Sequence, residues 1–150
     1  KRMDMKNLKE YKSFNDFNKK ASKIIKAHNN IDDIRKKFDK KLLHGYINLG
    51  LLTKNAKALL ASNTNRVKIS LDTFIKNRLH HRDINFYEYE LIPEILKKPD
   101  KLAKSKNNED IILFKSNNKN YMLVIKTTKD KTENFIKSFR RLSAEEYNKY

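Results

Sequence analysis

Residues 111–141 read IILFKSNNKNYMLVIKTTKDKTENFIKSFRR, and this stretch gives the clearest indication of the fold class. Apolar, β-branched and aromatic side chains are concentrated in three runs, 111–115, 121–128 and 134–141, which predict three β-strands. The two segments between these runs are short and rich in Asn, Lys, Asp and Thr, as turns are. The pattern therefore predicts an antiparallel meander.

The residues before the meander alternate between one further strand and helices. Residues 66–70 carry β-branched side chains at alternate positions, which predicts a short strand. A helix follows that begins at Ser70 or Asp72, because both residue types cap helices. A second helix covers about 88–97 and ends before Pro99. These elements predict an α+β fold, in which helices pack on a small twisted antiparallel β-sheet.

The first part of the chain is predicted to be helical. Apolar residues recur every three or four positions over 8–25 and 31–43, and a third short helix is predicted within 49–60. A polar cluster then separates a basic helical region, residues 1–65, from the α+β domain, residues 66–150. The apolar stripe of the helical region requires a partner, and packing on the sheet domain or on another protein is favoured over lying on anionic lipid.

The charge of the chain indicates the class of partner. The 150 residues include 35 Lys and Arg against 18 Asp and Glu, which gives a net charge of +17. This charge favours a nucleic acid, an anionic membrane surface or an acidic protein. Residues 1–66 hold 17 of the basic residues and only six acidic ones, so the surplus lies mainly in the helical region. The alternative is that a Lys- and Asn-rich composition only provides a solvated surface.

Composition also excludes several classes of function. The chain has no Cys, which excludes disulfides, thiolate catalysis and cysteine-bound zinc, and its two Gly exclude a Gly-rich phosphate loop. No apolar run approaches the roughly 20 residues needed to span a bilayer, and no secretory signal opens the sequence. Because the first residue is Lys, we expect a fragment or a processed product.

The histidines lack the spacing of a metal site, so any nucleolytic chemistry is expected to need neither metal nor cofactor. Of His28, His44, His80 and His81, none forms an HExxH-type pair. RNA allows metal-independent cleavage, because its own 2′-OH can attack the neighbouring phosphate. The protein must then supply a proton acceptor, a proton donor and cations. Histidine suits proton transfer near neutral pH.

Two predicted elements carry groups suited to this chemistry. Thr73, Lys76 and His80 have i, i+3, i+7 spacing and share one side of a predicted helix, and His81 lies at its end. In the meander, alternation places side chains of the last two strands on common faces, namely Lys126 with Thr128 and Ser138 with Arg140. If these strands pair, the groups converge beside the helix. The alternative is that they are ordinary surface charges and that His81 is an exposed helix-terminal residue.

The order of these features resembles the phage-associated branch of the barnase–EndoU–colicin–RelE (BECR) nuclease superfamily. Members occur at the ends of phage head-morphogenesis proteins and polymorphic toxins. The resemblance covers roughly half of the chain. It rests on a strand ending in Ser70, a T-x-x-K-x4-H arrangement of Thr73, Lys76 and His81, an LIPEIL helix followed by Pro99 and Asp100, a lysine-bearing strand over 121–126 and a final SFRRL strand.

The resemblance implies a ribonuclease site on the open face of the sheet. It implies His81 as general base or acid, with His80 beside it as a second candidate, and Ser138 as a hydrogen-bond donor to a phosphate oxygen. The residues carried over as catalytic are His81, Lys76, Lys126, Ser138 and Arg140, where the three cations stabilise phosphate charge. The residues expected to contact RNA are His80, Thr73, Thr128, Arg141 and Tyr121. For Tyr121, the alternative to stacking on a base is a position in the hydrophobic core.

We therefore expect a metal-independent endoribonuclease toxin domain that acts on RNA, with tRNA as a candidate target, in the bacterial cytoplasm. Delivery as the carboxy-terminal part of a secreted or phage protein is expected. An acidic immunity or antitoxin protein is the expected partner, because a free nuclease harms its producer and the chain is strongly basic. The alternative is a non-catalytic module of the same fold that binds RNA, DNA or a protein.

Overall fold

The computed structural model describes residues 7–150, which form seven strands and eight helices. In chain order the elements are β1 (Glu10–Tyr11), α1 (Phe14–Ala27), α2 (Ile31–Lys37), α3 (Lys40–Leu43), β2 (Tyr46–Leu51), α4 (Lys54–Leu60), β3 (Arg66–Ser70), α5 (Leu71–His80), α6 (Phe86–Tyr89), α7 (Ile92–Lys97), β4 (Lys101–Lys104), β5 (Ile111–Asn117), β6 (Lys119–Thr127), β7 (Asn134–Leu142) and α8 (Ala144–Asn148).

The seven strands form one mixed sheet in the order β1-β2-β3-β7-β6-β5-β4. Strands β1 and β2 are parallel, as are β3 and β7, and the remaining neighbours are antiparallel. Strands β5, β6 and β7 pair in sequence order, which confirms the predicted antiparallel meander. The α+β class is likewise confirmed.

Alternation along the strands separates a core face from an open face. On β6, Tyr121, Leu123 and Ile125 are almost completely buried among the helices, whereas Val124 and Lys126 point to the opposite face. Helices α5 and α7 contribute fully buried Phe, Ile and Leu side chains to the same core, and this burial stabilises the packing of helix on sheet. Helix α8 and the residues after it pack on the opposite face, where Tyr147 and Tyr150 contact Phe114.

A β-bulge in β7 sets which of its side chains reach the open face. Val124 pairs with Ser138 and Ile125 pairs with Ile136, so Lys137 is an extra residue with no partner on β6. After the bulge, Phe139 returns to the core, while Ser138 and the next alternate residue, Arg140, lie on the open face.

The structure corrects the element assignment of the first part of the chain. The short helix predicted within 49–60 is confirmed as α4, which Thr53 caps, but the residues before it form strand β2, because YINLGL alternates half-buried and buried side chains and pairs with β3. The helix predicted over 31–43 is two helices, since Asp39 caps a new one at Lys40. The short strands β1 and β4 have no counterpart among the predicted strands.

The sheet and the core run across the predicted boundary between residues 65 and 66. Strand β2 pairs with β3 along its length, and Phe17 of α1 packs against Phe74 of α5 with ring centroids 5.0 Å apart. Arg78 of α5 also donates hydrogen bonds to Asn18 and Ser22 of α1. The division into residues 1–65 and 66–150 therefore stays a prediction about separate roles, and it coincides with no break in the sheet. None of the helices within residues 7–150 has the length and apolarity that crossing a membrane requires.

Candidate active site

Helix α5 lies along an edge of β7 that no strand covers. Strand β3 pairs with β7 only through Val67 with Asn134 and Lys68 with Phe135. The chain then turns at Ser70, whose hydroxyl accepts a hydrogen bond from the backbone N–H of Thr73 at 3.1 Å and so caps α5. Beyond this turn, α5 takes the place that a longer β3 would fill.

Asn77 fixes α5 to the strand edge. Its Oδ1 accepts a hydrogen bond from the backbone N–H of Phe139 at 2.9 Å, and its Nδ2 donates to the carbonyl of Phe139 at 2.8 Å. Nδ2 also donates to the hydroxyl of Tyr89 at 2.8 Å, and Asn77 is only 5% exposed. One amide thus replaces a neighbouring strand at the residue that stands between Ser138 and Arg140. The sequence analysis did not predict this role of Asn77. An Asn three residues after Phe74, on an otherwise apolar helix face, is unusual and can mark such a contact.

This docking brings four of the predicted site residues together. They line a cavity of about 220 Å³ between the end of α5 and the bulge of β7. We call it the His81 cavity, and its lining residues are Lys76, Asn77, His80, His81, Lys137 and Ser138. A wider depression of about 480 Å³ shares Lys76, Lys137 and Ser138 and extends across the open face to Val124 and Ile112.

Both neighbouring histidines reach the His81 cavity because the helix ends between them. Successive side chains on an α-helix diverge by roughly 100°. His80 is the last residue of α5, whereas His81 caps it with φ −125° and ψ 68°, outside the helical region. The change in backbone direction allows the two imidazoles to line one cavity.

The surroundings of His81 favour a neutral imidazole. Burial lowers the pKa of His81 from its ordinary value of 6.5, Asp83 opposes this shift, and the charges of Arg140 and His80 lower the pKa further. A neutral imidazole near pH 7 can accept a proton. Arg140 lies two residues after Ser138 on the open face of β7, and its Nη1 lies 3.6 Å from Oε2 of Glu146.

Several groups of the His81 cavity are available to a substrate. Within residues 7–150, the side chains of Lys76, His80, His81 and Ser138 make no hydrogen bond or ion pair with other side chains within the usual distance limits. Lys137 differs, because its Nζ lies 2.8 Å from Oδ2 of Asp110. The cavity thus offers a neutral base, a second imidazole, a hydroxyl and a lysine that ordinary protein contacts do not engage.

Three further predicted residues meet in a different place. Thr73, Lys126 and Thr128 line a cavity of about 540 Å³ at the amino-terminal end of α5, together with Phe135. We call it the Phe135 cavity. The predicted convergence of Lys126 on His81 is therefore not what the structure shows, because Lys126 pairs across the sheet with Phe135, before the bulge, whereas Ser138 follows the bulge.

The remaining two predicted residues, Tyr121 and Arg141, lie on the helix side of the sheet. Arg141 forms a two-point ion pair with Glu88, with Nε to Oε2 at 2.6 Å, and the hydroxyl of Tyr121 donates to the same Oε2 at 2.7 Å. Burial raises the pKa of Glu88, but these hydrogen bonds and one from the backbone of Asn85 outweigh it and lower the pKa to about 2. Tyr121 is 2% exposed. The predicted RNA contacts of both residues conflict with these positions, because each side chain is held by Glu88 away from the His81 cavity.

The comparison with protein families agrees with the fold and covers the site. A family model described as phage-Barnase-EndoU-ColicinE5/D-RelE like nuclease (PBECR3) matches residues 48–149. The match includes α5, the meander and every residue of the His81 cavity. No curated protein and no solved structure matches the chain. The resemblance drawn from the sequence is confirmed, the α+β fold is BECR-like, and the chain belongs to this family of nucleases.

Proposed function

We propose that the protein is a metal-independent endoribonuclease that cleaves RNA by attack of the 2′-OH on the adjacent phosphate. The observation that carries the proposal is the His81 cavity, where a neutral imidazole, a second imidazole, Lys76 and Ser138 are available together. These are the groups that 2′-OH attack requires of a protein.

In the proposed reaction, His81 accepts the proton of the 2′-OH while the 2′-oxygen forms a bond to phosphorus. The bond from phosphorus to the 5′-oxygen breaks, and that oxygen takes a proton from the protonated imidazole of His80. The products are a 2′,3′-cyclic phosphate and a free 5′-OH. No external nucleophile enters this step.

The cations and the hydroxyl of the site stabilise charge on the phosphate. Lys76, which lines the cavity with Ser138, and Arg140, two residues after Ser138 on β7, oppose the negative charge that grows on the non-bridging oxygens. The hydroxyl of Ser138 donates a hydrogen bond to one of these oxygens. The bidentate contact between Asn77 and Phe139 holds the helical and strand groups in register.

Metal independence enters the proposal through the chemistry of RNA cleavage rather than through the structure. The proposed chemistry needs no metal ion, since the nucleophile is part of the RNA and protein cations supply the positive charge.

The basic amino-terminal region is proposed to add affinity for RNA. A groove of about 470 Å³ formed by β1 and α1 is lined by Lys9, Lys12, Lys19, Lys20 and Lys23. We call it the lysine groove. It lies outside the family match, and its lysines can bind phosphates without sequence preference.

The proposed biological role is that of a toxin domain, acting on RNA, with tRNA as a candidate, in the cytoplasm of a target bacterium. Delivery as the carboxy-terminal part of a phage or secreted protein and restraint by an acidic immunity or antitoxin protein belong to the same proposal, which the family's phage and colicin relatives support.

The test is incubation of the protein with total bacterial RNA in EDTA, followed by mapping of the cut ends. Wild-type protein is expected to cleave, and His81→Ala is expected to be slower by at least 100-fold, in line with the loss of a general base. His28→Ala is the matched control, because His28 packs on Phe38 with ring centroids 5.6 Å apart and is no part of the His81 cavity. Binding of RNA without cleavage by the wild type contradicts the proposal and favours a binding module.

A further inference from the structure

The Phe135 cavity has the size and composition of a second binding site on the open face. Its volume of about 540 Å³ lies within the usual range for small-molecule pockets, roughly 300–1,000 Å³. We propose that this cavity holds the nucleotide next to the scissile phosphate, with its base on Phe135 and its phosphate on Lys126. The inference rests on the proposed ribonuclease function for the path of the RNA strand. That the cavity binds a nucleotide is argued from its own lining residues.

The position of the Phe135 cavity suits a neighbouring nucleotide. Phe135 lies three residues before Ser138 on β7, which places the two about 10 Å apart along the strand. Phe135 and Lys126 are direct cross-strand partners on the open face. On α5, Thr73 precedes Lys76 by about one turn on the same side of the helix. The two cavities therefore lie side by side along one groove between α5 and the sheet.

The charges of the Phe135 cavity leave Lys126 free to bind a phosphate. Two carboxylates line the cavity, but each has a partner. Asp72 forms a two-point contact with Arg35 at 3.0 and 3.1 Å, and Glu133 lies 2.9 Å from the Nζ of Lys68. Within residues 7–150 the exposed Lys126 has no carboxylate within 4.0 Å. The unbalanced charge at the mouth of the cavity is thus positive.

The apolar part of the cavity provides a surface for a base. Phe135 is half-buried and lines the cavity together with Tyr46. The Nζ of Lys68 lies 4.5 Å from the centre of the Tyr46 ring, which holds that ring in place and leaves Phe135 as the aromatic face for stacking. Stacking of bases on aromatic side chains tolerates any base, and it contributes to affinity for single strands.

Of the two Thr hydroxyls considered in the Phe135 cavity, one stabilises the fold and the other is available to a ligand. The hydroxyl of Thr128 lies 2.8 Å from Oδ1 of Asp130 and accepts the backbone N–H of Glu133, so it stabilises the turn. The hydroxyl of Thr73 has no hydrogen bond to another side chain among residues 7–150. We therefore assign Thr73 as the hydroxyl that contacts the ligand. Lys126 becomes a substrate-binding residue, where the sequence had indicated a catalytic one.

The experiment measures binding of trinucleotides whose 2′-oxygens are methylated, which prevents the attack that would cleave them. Each of the four homopolymer trinucleotides is titrated into the full chain, and affinity is compared with that of the four nucleoside monophosphates. Phe135→Leu keeps apolar bulk but removes the aromatic face, and is expected to weaken trinucleotide binding roughly tenfold. Lys126→Ala is expected to weaken it less, with a smaller dependence on salt.

The control and the contradicting results follow from the same titration. Lys129→Ala removes an exposed lysine of the adjacent turn that does not line the cavity, and it is expected to bind as the wild type does. Unchanged trinucleotide affinity in both Phe135→Leu and Lys126→Ala overturns the inference, even where His81-dependent cleavage is present. Equal affinity for a single monophosphate also overturns it, since the cavity is then a free-nucleotide site. Binding through Phe135 by a protein that cleaves no RNA removes the proposed function and keeps the cavity's assignment.

Discussion

The chemistry of the proposed reaction depends on the protonation of one residue, His81. Its backbone leaves the helix, its side chain lines a cavity together with Ser138, and partial burial favours the neutral form. Two charged neighbours act on it in opposite directions, Asp83 raising its pKa and Arg140 lowering it. A general base works only when deprotonated, so on the acid side of the pH profile the rate is expected to rise through the pKa of His81, which lies below the ordinary value of 6.5.

Matched substitutions of the two neighbours are expected to move the pKa of His81 in opposite directions. Arg140→Gln removes a positive charge that disfavours the imidazolium, so the pKa rises toward 6.5. Asp83→Asn removes a negative charge that favours it, so the pKa falls further. An NMR titration of the His81 ring protons measures both shifts without any need for activity. Shifts of the same sign in the two variants contradict this electrostatic account.

The sequence could identify four residues that line the His81 cavity, but not how the fold arranges them. Lys76 and His81 have helical spacing that is visible in the sequence, and Ser138 and Arg140 alternate along a strand. Lys126 and His81 line different cavities because of the bulge at Lys137. No local sequence pattern predicts this bulge. The hydrogen bond from Tyr121 to Glu88 joins residues 33 positions apart, so it could not be predicted from local sequence either.

At the scale of elements, the site is the junction between α5 and β7. The strand supplies Ser138 and Arg140, the helix supplies Lys76 and the histidines, and Asn77 joins the two. The meander could be predicted because each strand contains a run of apolar, β-branched or aromatic side chains and the segments between the runs are short and polar. Strand β2 could not, because its short apolar run is followed at once by the helical residues of α4, and short apolar runs do not distinguish strand from helix.

Asn77→Ala is expected to loosen this junction. The backbone N–H and carbonyl of Phe139 lose their partners in a buried position, which costs about 2–4 kcal/mol of stability. Because α5 then shifts relative to Arg140, the pKa of His81 is expected to move toward 6.5 as well. Chemical denaturation measures the first effect and the NMR titration the second.

Thr53→Ala provides the control for a loss of stability alone. Thr53 caps α4, a helix remote from the His81 cavity, through a hydrogen bond to the backbone N–H of Ala56 at 3.1 Å. Its loss is expected to cost about 1 kcal/mol and to leave the pKa of His81 unchanged. If Asn77→Ala is destabilised but His81 titrates as in the wild type, Asn77 has a structural role only.

At the scale of the whole molecule, two surfaces of residues 7–150 gather basic side chains. A few cations surround His81 and Lys126, and the lysine groove carries a separate group on β1 and α1. Helix α1 packs its apolar side on α5, so the lysine groove is attached to the same helix that bears the site. Composition could predict an anionic partner, but the location of the lysine groove required the packing of α1.

Replacement of Lys19, Lys20 and Lys23 by Gln is expected to weaken RNA binding at low salt. If each lysine contacts one phosphate of a single strand, the slope of log affinity against log salt falls in magnitude by about 2. Cleavage of a dinucleotide, whose single internucleotide phosphate occupies the His81 cavity, is expected to be unchanged.

A triple variant with the same loss of charge elsewhere is the control for this prediction. Lys97, Lys119 and Lys149 are exposed and line none of the three cavities named above. Their replacement by Gln is expected to change the salt slope less. Equal slopes for the two triple variants contradict a specific role for the lysine groove.

The most direct test of the account uses one RNA substrate in two forms. The first is an oligonucleotide that contains a mapped cleavage position, and the second has a single 2′-deoxy sugar on the 5′ side of the cut. In EDTA, the account predicts cleavage of the first with a 2′,3′-cyclic phosphate end and no cleavage at that position of the second. Cleavage of the deoxy form at the same position, or a linear phosphate as the first product, contradicts attack by the 2′-OH at the His81 cavity.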